Sequence, residues 1–222
     1  MPSIMMLFIV LLNPWLACSQ ATNTTKGGSS GDGVMTGIIG HPSDNTAVSA
    51  ILDAAVGGTP GTLIGRQMDK FANELKAELK DAKIERVGEG IVITFESRLL
   101  FEHDSFELRS TSNLKELAKT LNKYNQTNAL IEGHTDGTGE ELYNQSLSDK
   151  RAREVEDYLM QRGVKDDRMS TKGYGESQPL VTDDTEAGKQ TNRRVMVAIY
   201  ANDEMKYLAR KGELKEYIAS KK

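Results

Sequence analysis

A polar stretch between an apolar strand and an amphipathic helix constrains the fold of this chain most strongly. The apolar run Ala-Leu-Ile at 129–131 leads into a glycine-rich turn, Gly-His-Thr-Asp-Gly-Thr-Gly, at 133–139. Ala152, Val155 and Leu159 then recur at helical spacing. A strand that passes through a polar turn into a helix is where α/β proteins hold ligands. The stretch therefore predicts an α/β fold with a binding site at this turn.

The rest of the hydrophobic pattern alternates short strands with helices. β-branched residues flank a glycine turn at 88–90, which is typical of a hairpin. Alternating strands and helices predict an α/β sandwich (α+β) with helices packed on the sheet. The predicted segments are a hairpin over 84–95, an extended piece over 99–101, a helix over 110–124, strands over 128–134, 169–174 and 195–200, a helix that stops at Gly163, and a loop over 175–192.

Composition excludes several classes of function. The 222 residues are 38% apolar with a net charge of −4, enough for one compact domain and an extension, and no continuous basic stripe indicates a nucleic-acid partner. Cys18 is the only cysteine, so no disulfide forms within the chain. With three histidines and no catalytic arrangement of side chains, we predict no metal site, no cofactor and no enzymatic activity. We interpret His134 as a strand-end residue hydrogen-bonded to the loop.

The N-terminus has the features of a secretory signal. The apolar run at 4–12 is too short to span a bilayer, which takes about 20 residues. Trp-Leu-Ala-Cys at 15–18 resembles a bacterial lipobox, in which the cysteine receives the lipid. We therefore predict a lipoprotein signal over 1–18 and lipidation of Cys18, with an uncleaved or misassigned start as the alternative.

Two segments connect this signal to the globular part, and a third follows it. Residues 19–56 are rich in glycine and serine and predict a flexible tether. Residues 57–83 predict an amphipathic helix opened by Pro60, with glycines spaced as in a degenerate glycine zipper. Residues 201–222 predict a charged C-terminal helix. Whether the apolar stripe of the second segment packs on the domain or pairs with another copy stays open; its residues are Ile64, Met68, Phe71, Leu75 and Leu79.

Four motifs in the second half of the chain resemble one family. They are Gly-His-Thr-Asp at 133–136, Asn-x-x-Leu-Ser-x-x-Arg-Ala at 144–152, Gly-Tyr-Gly-Glu at 173–176 and Asn-Arg-Arg-Val at 192–195. Their order and spacing resemble the OmpA C-terminal-like domain, which includes Pal-type lipoproteins and flagellar stator subunits. The resemblance covers roughly 84–200. It implies a βαβαβ core in a mixed sheet with helices packed on it, preceded by a hairpin and an amphipathic helix.

The resemblance also implies a function. The family binds peptidoglycan non-covalently through the diaminopimelate of the stem peptide, so this chain is expected to tether the outer membrane to the cell wall. It would be held in the outer membrane by its lipid and face the periplasm. The family's central aspartate and arginine correspond to Asp136 and Arg151. Its supporting positions correspond to Asp104, Thr138, Asn144, Leu147 and Arg193.

The chemistry of the two central residues fits such a ligand. Diaminopimelate carries an ammonium and a carboxylate on one carbon, which a carboxylate and a guanidinium can bind by charge-assisted hydrogen bonds. Spacing alone slightly favours a structural ion pair between Asp136 and Arg151, and the family resemblance favours ligand binding instead. If the helix starts near Glu140, Arg151 lies about 16 Å along its axis, so we expect the loop to fold back over the helix. We also expect Arg193 or Arg194 to pair with acidic residues of the 175–192 loop, such as Asp183 or Asp184.

Two rival functions remain at this point. The chain could be an oligomeric envelope scaffold that associates through the glycine-spaced segment, with weak or lost wall binding. It could also be a wall-modifying enzyme, which the missing catalytic arrangement disfavours.

Overall fold

A five-stranded mixed sheet lies at the centre of the computed structural model, which describes residues 47–220. The strand order is β1-β2-β5-β3-β4, with β3 and β4 parallel and the other neighbours antiparallel. The predicted mixed sheet with helices on it is thus confirmed. The strands are β1 (Ala82–Val87), β2 (Gly90–Glu96), β3 (Thr127–His134), β4 (Met169–Gly173) and β5 (Arg194–Ala201).

The helices of the described residues follow the sequence pattern along much of the chain. The helix predicted over 57–83 ends earlier, at Glu78, and two short segments also differ. Of the predicted extended piece 99–101, only Phe101 is extended and makes a bridge to Leu108, because Ser97–Leu100 forms one helical turn. The predicted loop 175–192 contains a seven-residue helix. The helices are α1 (Ala47–Ala54), α2 (Gly58–Glu78), α3 (Ser97–Leu100), α4 (Ser112–Lys123), α5 (Glu141–Gln161), α6 (Glu186–Asn192), α7 (Asp203–Lys211) and α8 (Leu214–Ser220), with a 3₁₀ turn at Asp166–Arg168.

The apolar stripe of α2 packs into the main core. Phe71 is fully buried and its ring stacks on Tyr124 with 4.2 Å between centroids. The carboxylate of Glu89, in the β1–β2 turn, accepts the N–H groups of Val56 and Gly57, which places a negative charge at the N-terminus of α2. The stripe is therefore buried inside the domain. No helix within residues 47–220 is long and apolar enough to cross a membrane.

Helix α1 covers the second face of the sheet. Ala47 and Ile51 are buried against Val92 and Ala198, because alternate residues of β2 and β5 form an apolar surface there. Gly90 makes room for this contact, since a Cβ at Gly90 would overlap the Ile51 side chain. The predicted tether over 19–56 is therefore wrong at its C-terminal end, where 47–54 are helical. The signal over 1–18, Cys18 and the tether up to residue 46 lie outside the described residues.

The C-terminal segment forms two helices rather than the single predicted one. Gly212 adopts a left-handed conformation, with φ of 77°, and ends α7. Met205, Ala209 and Leu214 are buried against the main core. These apolar contacts hold α7 and the start of α8 against the rest of the domain.

Candidate ligand-binding site

Two glycines let α5 approach the ends of the parallel strands. A Cβ at Gly133 would overlap the backbone carbonyl of Ser148, and a Cβ at Gly173 would overlap the backbone of Asp149. The Asp149 carboxylate in turn accepts the Gly173 N–H at 2.8 Å. The middle of α5 is thereby fixed across the carboxyl ends of β3 and β4, with Arg151 one turn further along.

The loop between β3 and α5 folds back on the helix, as predicted. Helix α5 begins at Glu141, and the Asn144 side chain donates to the carbonyls of Asp136 and Thr138 at 3.3 and 3.1 Å. Asn144 also donates to the Glu176 carboxylate at 2.7 Å. This folding, together with the crossing of α5 over the strand ends, brings Arg151 to the same cavity as Asp136.

The predicted site residues lie around one open cavity of about 490 Å³. A cavity of this size is in the range of small-molecule sites. Binding of a ligand by these residues stays a prediction. The predicted lipidation site, Cys18, lies outside the described residues. The seven predicted residues on the wall of the cavity are Asp104, Asp136, Thr138, Asn144, Leu147, Arg151 and Arg193.

Asp136 pairs with Arg193 and not with Arg151. One carboxylate oxygen of Asp136 accepts from the Arg193 guanidinium, and the other accepts the Thr138 N–H at 3.0 Å. Arg193 also donates to Glu186 in α6. Burial opposes the charge of Arg193, but these hydrogen bonds outweigh it and raise its pKa. The alternative of an Asp136–Arg151 pair is therefore wrong.

Arg193 pairs with an acidic residue of the 175–192 segment, as expected, but this residue is Glu186 rather than Asp183 or Asp184. Arg194 is buried and donates to the carbonyls of Asn192 and Gln178, and it does not line the cavity. Asp183, the expected acidic partner, instead accepts from the Gly137 N–H and the Asn192 side chain. Only Arg193 reaches the site, because it precedes β5 at the end of α6.

Arg151 has a fixed position and no ion-pair partner among the described residues. Its side chain is 5% exposed, its Nε donates to the Ser105 carbonyl at 2.9 Å, and its guanidinium lies 5.2 Å from the centre of the Phe101 ring. Burial lowers the pKa of Arg151, an effect that the nearby Asp104 carboxylate opposes. The guanidinium is thus held at the cavity with its charge not matched by a bonded carboxylate.

Tyr143 is a cavity residue that the sequence analysis did not select. Its hydroxyl donates to the Asp104 carboxylate at 2.8 Å, across the mouth formed by α5 and the loop after α3. Tyr143, Leu147 and Arg151 follow each other at four-residue spacing, so they share one side of α5. That spacing could have identified Tyr143 once Arg151 was assigned to the site.

A buried polar cluster lies beneath α1, on the other face of β3. Glu132 and His134 are each 1% exposed, and the His134 ring stacks on Tyr174 with 5.3 Å between centroids. Neither ring nitrogen of His134 has a hydrogen-bond partner among the described residues, so the predicted bond to the loop is wrong. The backbone N–H of Ala47, at the start of α1, faces the Glu132 carboxylate and lowers its pKa.

The cluster makes the stability of the protein depend on pH. Burial raises the pKa of Glu132 from 4.5 to about 7, although the Ala47 N–H, Arg194 and Lys172 oppose the rise. Burial, with a contribution from Arg194, holds the pKa of His134 well below its ordinary value. Because the folded pKa of Glu132 exceeds the unfolded one, its stabilising contribution is complete below pH 4.5 and is lost as the pH rises through about 7.

We expect Glu132→Gln to become more stable relative to the wild type as the pH rises from 5 to 8. The amide has nearly the same size and does not ionise. For a pKa rise from 4.5 to about 7, the gain is up to about 3 kcal/mol. Urea unfolding of both proteins at four pH values measures it. Parallel stability curves for the two proteins would contradict the buried, ionising Glu132.

Comparisons with known proteins place this chain in a family. A model of the OmpA family matches residues 100–193, a range that contains all seven cavity residues named above. The chain is 31% identical over 163 residues to the outer-membrane lipoprotein YfiB of Pseudomonas aeruginosa, covering 72% of this chain and 96% of YfiB. It is 38% identical over 112 residues to outer membrane porin F of Pseudomonas fluorescens, covering 50% of this chain. The chain spans only 34% of that porin's length.

A solved structure shows the same architecture. The cell wall anchor of the T6SS from Pseudomonas aeruginosa is 27% identical, with a TM-score of 0.52 over 61% of this chain and 97% of that one. The mixed sheet, the glycine-supported crossing of α5 and the YfiB match along most of both chains agree with one another. The chain belongs to the OmpA family and carries a domain of the OmpA, Pal and MotB type.

Proposed function

We propose that this protein binds peptidoglycan non-covalently, through the diaminopimelate of the stem peptide, and anchors the outer membrane to the cell wall. The observation that supports the proposal most directly is that a carboxylate and a guanidinium, not bonded to each other, lie on the wall of one cavity of about 490 Å³. Asp136 presents a carboxylate to it, and Arg151 presents a guanidinium with no bonded carboxylate among the described residues.

The ligand's two charged groups match this arrangement. Its carboxylate would accept from the terminal nitrogens of Arg151, whose Nε is already bound to the Ser105 carbonyl. Its ammonium would donate to Asp136, while Arg193 keeps its second bond to Glu186. Thr135 also lines the cavity, and its buried hydroxyl has no hydrogen-bond partner among residues 47–220. It would supply a further hydrogen bond if the ligand reaches it, and no step of the proposal involves catalysis.

Anchoring requires a second attachment, at the membrane. The relatives support it by their descriptions, since YfiB is an outer-membrane lipoprotein and the similar solved structure is a cell wall anchor. In this chain Cys18 would carry the lipid and the domain would face the periplasm. Metabolic labelling with a palmitate analogue should mark the wild type and not Cys18→Ser. Label retained by Cys18→Ser would contradict this part of the proposal.

Sedimentation with purified peptidoglycan tests wall binding directly. We expect Asp136→Ala and Arg151→Ala each to weaken binding at least about tenfold, because each leaves one charge of the ligand unpaired in a partly buried site. Arg153→Ala and Asp157→Ala are matched controls, since both side chains are exposed on α5 and neither lines the cavity. Thermal unfolding of all four variants shows whether they remain folded. Unchanged sedimentation of the two site variants would refute the proposal.

A further inference from the structure

A second, smaller pocket of about 170 Å³ adjoins the first cavity. The two share Asp104, Tyr143 and Leu147 as a common wall. The hydrogen bond from the Tyr143 hydroxyl to Asp104, 2.8 Å long, lies in that wall. A ligand in the first cavity would therefore have its adjacent group at the opening of the second.

The second pocket favours a negatively charged group. Lys150 lines it and has no ion-pair partner among the described residues; its ammonium lies 5.4 Å from the centre of the Phe106 ring. The side chains of Ser105 and Ser146 also line the pocket and add hydroxyl groups. The opposing charge in the wall is Asp104, whose carboxylate is already bound by Tyr143. Lys150 is thus an unpaired cation beside hydrogen-bond donors.

We propose that this pocket binds the free α-carboxylate of the D-glutamyl residue that precedes diaminopimelate in the stem peptide. The inference rests on the proposed function, since it needs diaminopimelate in the first cavity. The D-glutamyl residue is joined through its γ-carboxyl group, so its α-carboxylate projects from the peptide without a covalent partner. In the stem peptide the D-glutamyl residue is bonded directly to diaminopimelate. In the structure the second pocket adjoins the first cavity, and the two share Asp104, Tyr143 and Leu147. Lys150 is therefore a specificity-determining residue for stems with this acid.

Calorimetry with three ligands tests the pocket. The ligands are diaminopimelate, the tripeptide L-alanyl-γ-D-glutamyl-diaminopimelate, and the same tripeptide with its α-carboxylate converted to an amide. At low ionic strength the full chain carrying Cys18→Ser should bind the acid tripeptide roughly three- to fivefold more tightly than the amide, as for an exposed ion pair. The preference should shrink as salt is added.

The substitution Lys150→Ala should abolish the preference for the acid and leave the binding of free diaminopimelate unchanged. Lys165→Ala, at another exposed lysine away from both cavities, should keep the preference. Equal affinities of acid and amide for the wild type, or a preference that survives in Lys150→Ala, would overturn the pocket assignment alone. Failure of all three ligands to bind would refute the proposed function and the pocket together.

Discussion

Replacing Gly133 with alanine is expected to destabilise the protein by about 3 kcal/mol or more. The added methyl group would overlap the Ser148 backbone, which belongs to the middle of α5 and has no side-chain torsion that can move it aside. Relief of the overlap requires α5 to shift away from β3, and Arg151 would shift with it. Urea unfolding followed by circular dichroism measures the loss, and peptidoglycan sedimentation measures the effect on the proposed site.

Gly65→Ala is the matched control for this substitution. Gly65 lies within α2, and a Cβ there would meet only the Arg86 side chain, at 3.9 Å. Alanine also favours the helix more than glycine does, so this variant should be as stable as the wild type or slightly more stable. A Gly133→Ala protein that is equally stable would show that α5 does not press on β3 at this point.

Arg168→Ala should cost about 3 kcal/mol, because it removes a buried set of hydrogen bonds at one corner of the fold. The guanidinium donates to the carbonyls of Leu121 and Tyr124 at the end of α4, at 3.1 and 3.2 Å. It also donates to the carbonyl and hydroxyl of Thr127 at the start of β3, at 2.7 and 3.1 Å. Without it, the carbonyls at the helix end lose a buried charged donor.

Two further variants make the Arg168 result specific. Arg168→Lys keeps the charge but not the forked geometry, so its stability should lie between those of Arg168→Ala and the wild type. The exposed Arg153→Ala should leave stability within about 0.5 kcal/mol of the wild type. Urea unfolding of the three variants checks the order. A stability of Arg168→Ala equal to that of Arg153→Ala would contradict the role of the buried contacts.

The sequence could predict those elements whose buried residues recur at regular spacing within one short segment. The apolar runs of β3 and β5 and the helical spacing along α5 depend on neighbouring residues only, and they identified the sheet and the helix that carries Arg151. The folded-back loop followed from a distance along the helix axis. The cavity residues came from motif spacing, which locates positions along the chain but does not give their partners in space.

The features that sequence missed depend on residues far apart in the chain. Asp136 forms an ion pair with Arg193, 57 positions away, because α6 and the start of β5 lie beside the β3–α5 loop. Helix α6 is short and polar, and Asn192 connects it to the preceding loop by accepting from the N–H groups of Leu180 and Val181. Arg168 stands in a charged segment that resembles a solvated turn. None of these contacts leaves a periodic signal.

The packing of α1 on the sheet has a mechanical consequence. If the lipid at Cys18 holds the membrane and the cavity holds the wall, tension between the two layers enters the described fold at Ala47, the first residue of α1. It passes to the sheet through the buried contacts of Ala47 and Ile51 with Val92 and Ala198. The path along the polypeptide chain from α1 to the sheet, through α2, is longer than this direct contact. The contact between α1 and the sheet would therefore bear load first, and it would open before the strand that carries the site is strained.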